Sequence, residues 1–193
     1  MVGASLGGMT SLSLAGDPDY SSLCKTLTMV DIGIYPNQDG SDRIVEFMRS
    51  AENGFSSLEE AADYISDFLP HREKPKDLSG LHKNLRKKDD RFYWHWDPKF
   101  LQGRQGQDIK EYFGHLEKAA NFLNIPTLLI RGGLSDVLTE EDKDYFLTVV
   151  SHAEFEEISN AAHMVAGDKN DIFSKAVETV SYTHLRAHET AVN

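Results

Sequence analysis

The chain has 193 residues, enough for one domain with a sizeable core, and a formal net charge of −11 from 31 acidic against 20 basic side chains. That balance offers no basic field for nucleic acid or an anionic membrane surface, so neither partner is expected. The lone Cys24 permits no internal disulfide, no Cys/His cluster has zinc spacing, and neither a membrane-length apolar run nor a signal-peptide pattern is present, which fits a soluble protein of a reducing, cytoplasmic compartment with no metal or other cofactor.

The first predicted feature is Gly3-Ala4-Ser5-Leu6-Gly7, a G-x-S-x-G run that sets a serine on a sharp strand-to-helix turn with its hydroxyl pushed outward. Small residues at its two ends are expected to let strand and helix approach closely, since a Cβ at Gly3 or Gly7 would collide with the turn. Leu6, Met9, Leu12, Leu14 and Ala15 predict an amphipathic helix that stops at Gly16-Asp17-Pro18. Cys24 reads as a packed core thiol at the head of a strand that runs from Leu27 to Asp31-Ile32-Gly33.

Three helices are then expected. One opens at Ser41 and closes at Gly54, and a second follows the capping sequence Ser57-Leu58-Glu59-Glu60 with the stripe Leu58, Ala61, Ala62, Ile65, Phe68 up to Pro70. A third runs from Asp77 through Leu78, Leu81 and Leu85 into the cations Arg86-Lys87-Lys88. The aromatic run Phe92-Tyr93-Trp94-His95-Trp96 reads either as core of this segment or as a pocket wall made by Phe92, Tyr93, Trp94 and Trp96.

A helix from Ile109 to Leu123 leads to Pro126 and a buried strand, Thr127 to Arg131. Gly132 to Asp136 then lie at the strand's C-terminal end, where an open α/β sheet builds its ligand crevice. Thr139 caps a further helix, residues 153–158 form a strand, and Ile172, Phe173, Ala176, Val177 and Val180 make a last helix. From about residue 182 the pattern gives way to a non-native tail, in which His184 and His188 stand at i, i+4 without a third metal ligand.

The elbow serine, an Asp after a late strand (Asp136) and a following histidine (His163) stand in the order Ser, Asp, His, and with them the chain resembles the α/β-hydrolase superfamily. The phrases Gly3 to Met9, Asp31-Ile32-Gly33 and Trp94 to Pro98 are similar to its lid-bearing esterases, epoxide hydrolases and haloperoxidase-like members. The resemblance implies an α/β fold in which the elbow strand is the fifth of eight and strands six to eight follow. Residues 1–35 and 106–181 would be a partial core and 36–105 a helical lid over the active site.

It also implies a C-terminal part of a longer hydrolase, lacking strands one to four, the loop with the second oxyanion donor, and any signal carried there. Such a piece would fold poorly, with strand six as an exposed edge, and be weak or inactive. The catalytic set expected from the resemblance is Ser5 as nucleophile, His163 as base and Asp136 as the acid, with the Leu6 N–H as an oxyanion donor. Asp31 is an alternative acid position used by some members.

Serine rather than a carboxylate at the nucleophile position argues against epoxide or haloalkane substrates and for a small apolar ester cleaved through an acyl-serine. Passage of the acyl group to peroxide or an alcohol uses the same triad. A non-catalytic fragment or interaction module is the reading from a different class. The sequence leaves the oligomeric state open.

Overall fold

The computed structural model describes residues 1–101 and 109–178, with the backbone alone at 109–112. The expected tail with His184 and His188, the end of the lid segment and Val180 lie outside the described residues. The chain divides into two compact units, one of Met1–Gly40 with the chain from Gln107 onward, the other of Ser41–Gly106.

In the first unit a parallel sheet is built from β1 (Val2–Ala4), β2 (Leu27–Val30), β5 (Thr127–Gly132) and β6 (Glu154–Ile158), in the order β1-β2-β5-β6. All residues of β2 and β5 are buried, as continuous apolar runs in a parallel sheet should be. The stub β1 pairs in register with β2, Gly3 against Met29, so β2, expected as an exposed edge, is flanked by β1 and β5. Val30, Leu128 and Ile130 form one apolar face with Ile158, Ala161, Val165 and Ala176. Ala176, with Phe173 and Val177 packed against that face, belongs to the last helix, over 170–178.

Helix α1 (Leu6–Ala15) packs on β1, β2 and α4 (Ile109–Phe122). Its buried stripe is Gly8, Met9, Ser11, Leu12 and Ala15, whereas Leu6, expected on that stripe, is 48% exposed. At its C-terminus a Cβ on Gly16 would lie 2.1 Å from the Ala119 carbonyl oxygen of α4. Helix α5 (Glu140–Val149) starts at Thr139 with a full capping box: the Thr139 hydroxyl accepts from the Asp142 N–H and the Asp142 carboxylate accepts from the Thr139 N–H. Asp142 is thus part of the cap.

The loop after β2 is tied to α4 and α5 by Glu117, whose carboxylate accepts from the Tyr35 phenol at 2.7 Å and from the Tyr145 phenol. This bond to Glu117, with burial adding to it, pushes the Tyr35 phenol up to about 12. A raised phenol pKa stabilises the fold below the ordinary phenol value of about 10, and that contribution is lost as pH rises toward the folded value.

The second unit holds α2 (Gln38–Ser50), which begins three residues before the unit's boundary, and α3 (Leu58–Phe68). Ser57 caps α3 as expected, but the Glu60 carboxylate reaches back to Ser56 rather than to Ser57. The third expected helix is absent. Asp77 takes the Ser79 N–H and hydroxyl, which favours a tight turn, and a short 3-10 helix (Ser79–Lys83) leads into strand β3 (Leu85–Lys88). β3 pairs antiparallel with β4 (Arg91–Trp94) across a two-residue loop in which Asp89 takes φ 53°. The aromatic run has strong strand preference, and pairing with it overrides the helical spacing of Leu78, Leu81 and Leu85.

Phe92 and Trp94 pack on the core of Ala51, Phe55, Ala61 and Leu85, with the Trp94 ring 5.4 Å edge-on from Phe55. Both side chains are partly buried by this packing inside their own unit. Tyr93 lies against Gly54 and Trp96 is half-buried.

In and just after the G-x-S-x-G run the structure assigns the tight approach differently from the sequence. A Cβ on Gly3 would lie 2.3 Å from the Gly7 carbonyl oxygen, and one on Gly8 2.5 Å from Ile32 Cγ2, while a Cβ on Gly7 meets nothing within 4 Å. Gly3→Ala is therefore expected to destabilise by about 1–3 kcal/mol or more, because backbone must move. Gly7→Ala, inside a helix, should be neutral or stabilising by about 0.5–1 kcal/mol. Urea unfolding of both variants checks the ranking.

Candidate active site

Parallel strands point the same way, so residues that follow their C-terminal ends gather at one end of the sheet. Ser5 follows β1, Asp31 follows β2, Ser135 follows β5, and His163 lies in the loop after β6.

Ser5 is the N-cap of α1 with φ 49° and ψ −121°, a conformation that costs a non-glycine residue about 1–3 kcal/mol. Its N–H completes the β1 ladder on the Val30 carbonyl (3.1 Å), and its carbonyl accepts from the Met9 N–H (3.1 Å). The hydroxyl makes no capping bond to the helix amides, although serine is a preferred cap. Sheet pairing on one side and helix start on the other thus hold a strained turn that leaves Oγ available. The Leu6 N–H, at the first helical position, has no intrahelical acceptor.

Asp31 stands at φ 52° directly after β2, its N–H bonded to the Ile130 carbonyl at 2.8 Å. Its side chain is wholly buried, where an uncompensated carboxylate would be very costly. It is compensated by three donors. Oδ1 accepts from the Gly132 N–H at 2.8 Å, and Oδ2 accepts from the Ser135 hydroxyl at 2.5 Å and from His163 Nδ1 at 2.8 Å.

The acid that meets His163 is therefore Asp31, and the expectation of Asp136 is corrected. At the end of β5 it is Ser135 that faces Asp31. Asp136, one residue later, is half-buried in a turn whose carbonyl would lie 2.2 Å from a Cβ on Gly40.

The loop bearing His163 is fixed by its backbone. The Leu134 N–H bonds the Ala161 carbonyl (2.8 Å), the Gly133 N–H the Ile158 carbonyl (3.0 Å), and the Ala162 N–H the Asp168 carboxylate (2.8 Å). Gly132 allows the contact, since a Cβ there would lie 2.4 Å from the Ala162 carbonyl oxygen. Arg131, buried in β5, ties the segment before α5 to β6, with Nε on the Leu138 carbonyl and Nη1 on Glu140 and Glu157. His163 keeps Nδ1 on Asp31 with 14% of its side chain exposed, which leaves Nε2 as its free ring nitrogen.

No family model matches the chain, and no curated protein matches it. Solved structures do. E-2-(acetamidomethylene)succinate hydrolase superposes with a TM-score of 0.78 at 17% identity, over 93% of this chain and 65% of that one. A Mycobacterium tuberculosis esterase gives 0.70 at 26% identity over 93% and 59%, and an alpha/beta hydrolase from Novosphingobium aromaticivorans 0.69 at 17% over 93% and 63%. The chain has the fold of the α/β hydrolases. It spans 65% or less of the length of these three α/β hydrolases.

Sequence reasoning named Ser5 and His163, carried Asp31 as the alternative acid, and missed Ser135 and the Gly132 N–H. A signal for Asp31 exists: a carboxylate set between Val30 and Ile32 in an apolar strand end is a buried one and needs partners. Ser135 carries no such mark beside Asp136. Among the described residues no group of three or more His, Cys, Asp or Glu is placed for a metal, and no helix is long and apolar enough to cross a membrane.

If Asp31 holds the imidazole tautomer, Asp31→Asn should lower ester turnover by about four orders of magnitude, the effect of reversing the tautomer in such a triad. Asp136→Asn should change it less than tenfold. Steady-state kinetics on both variants, with circular dichroism as the folding control, checks the ranking.

Proposed function

We propose that the chain carries the catalytic centre of a serine hydrolase acting on a small, apolar ester or related acyl compound. The observation that carries this reading is the Asp31–His163 pair, which leaves His163 Nε2 as the base at the sheet end where Ser5 stands on its strained turn. The hydrolase and esterase titles of the similar structures support the class. Exposed apolar side chains at the same end, Leu6 beside the nucleophile, Leu134 and Met164 beside the base, favour an apolar substrate.

In this reading His163 Nε2 takes the proton of Ser5 Oγ as the oxygen attacks the substrate carbonyl. Asp31 stabilises the imidazolium so formed, and the tetrahedral oxyanion is met by the Leu6 N–H and the positive end of α1. His163 returns the proton to the leaving alcohol, which departs and leaves an acyl-Ser5. Water, deprotonated by the same Nε2, then releases the acid and restores the serine.

An activated serine attacks phosphonyl fluorides at neutral pH and an ordinary one does not. The chain is expected to take up one fluorophosphonate at Ser5, located by peptide mass spectrometry, and Ser5→Ala is expected to take up none. Label retained in Ser5→Ala, or absent from the unaltered chain, would contradict the proposal.

A further inference from the structure

Ser135 is a buried polar group that the triad scheme does not use. Its hydroxyl oxygen accepts from the Val137 N–H at 3.2 Å and the Leu138 N–H at 3.3 Å, and the residue is only 8% exposed. A hydroxyl has two lone pairs and one proton. With both lone pairs engaged by amides, its proton has one direction left, toward Asp31 Oδ2, where the oxygens stand 2.5 Å apart.

The consequence reaches the base. Every polar group around Asp31 is then a donor: the Gly132 amide, the Ser135 hydroxyl and the His163 ring. A protonated Asp31 would find no acceptor in Ser135, so the carboxylate form is the one that satisfies the site. An acceptor-only Asp31 in turn requires the proton of neutral His163 to sit on Nδ1 and the lone pair on Nε2. A serine that merely closed the 135–138 turn would need its two amide bonds and not the third.

Resting on the serine-hydrolase reading above, we propose that Ser135 is a positioning residue, which relays the polarity of two backbone amides into Asp31 and so fixes the tautomer of His163. It touches no substrate. Glycine or alanine would lose the relay together with the oxygen that accepts the two turn amides. Threonine keeps it, because its hydroxyl has the same lone pairs and proton.

The test is the two-bond ¹H–¹⁵N spectrum of His163 in the ¹⁵N-labelled chain, which distinguishes the two neutral tautomers. The unaltered chain is expected to show the Nδ1–H form alone, Ser135→Ala a mixture of both forms, and Ser135→Thr the single form restored. An unchanged single tautomer in a folded Ser135→Ala, judged by backbone amide dispersion, overturns the proposal.

Should Ser135→Ala not fold, Ser135→Cys keeps a weaker donor of similar size. An intermediate tautomer ratio in it upholds the relay, and a ratio equal to that of the unaltered chain overturns it. Fluorophosphonate labelling of the same samples separates this claim from the hydrolase reading. Labelling at least about tenfold slower in Ser135→Ala is expected from loss of a bond to a charged group. An unlabelled unaltered chain defeats the hydrolase reading, while the tautomer spectrum still decides the role of Ser135.

Discussion

The burial of one carboxylate organises this site. Asp31 lies out of reach of water, and a lone buried carboxylate would cost far more than a fold of this size can bear. Three donors make it tolerable, and each comes from a different part of the chain: the end of β5, the turn beyond it, and the loop after β6. Satisfying Asp31 therefore fixes where those segments end relative to β2. The His163 loop is positioned by the same requirement that keeps Asp31 charged.

Around that charge the backbone does most of the remaining work. Gly132 lets β5 touch the carbonyls of Ala161 and Ala162, and Gly3 lets β1 touch the first turn of α1. Both contacts are backbone against backbone, so no side-chain rearrangement relieves an added methyl. The strain at Ser5 survives because its N–H is held by Val30 and its carbonyl by Met9, on the two elements the turn joins. The Ser5 turn and Asp31 are thus connected through β2: Val30 receives the Ser5 N–H, and Asp31 is the next residue.

How much of this was legible in the sequence follows from which interactions are local. The elbow, the apolar strands and the Thr139 cap are written in neighbouring residues, and all stand where the sequence placed them. The choice between Asp31 and Asp136 is not local. Both follow an apolar strand, and only the pairing of β2 beside β5 decides which one shares an end with Ser135 and faces His163. The 77–88 segment was misread for a similar reason: its leucine spacing is helical, but its partner strand is the aromatic run beyond Asp89-Asp90. Gly8, not Gly7, makes the second close contact because Ile32, distant in sequence, lies behind it.

The most direct measurement of the central claim is a crystal structure of the chain with a phosphonate bound at Ser5. The expected density joins phosphorus to Ser5 Oγ, places the phosphonyl oxygen on the Leu6 N–H, and keeps His163 Nδ1 on Asp31 Oδ2 within hydrogen-bond distance. Density that puts Asp136 against His163, or the phosphonate on another residue, would contradict the account.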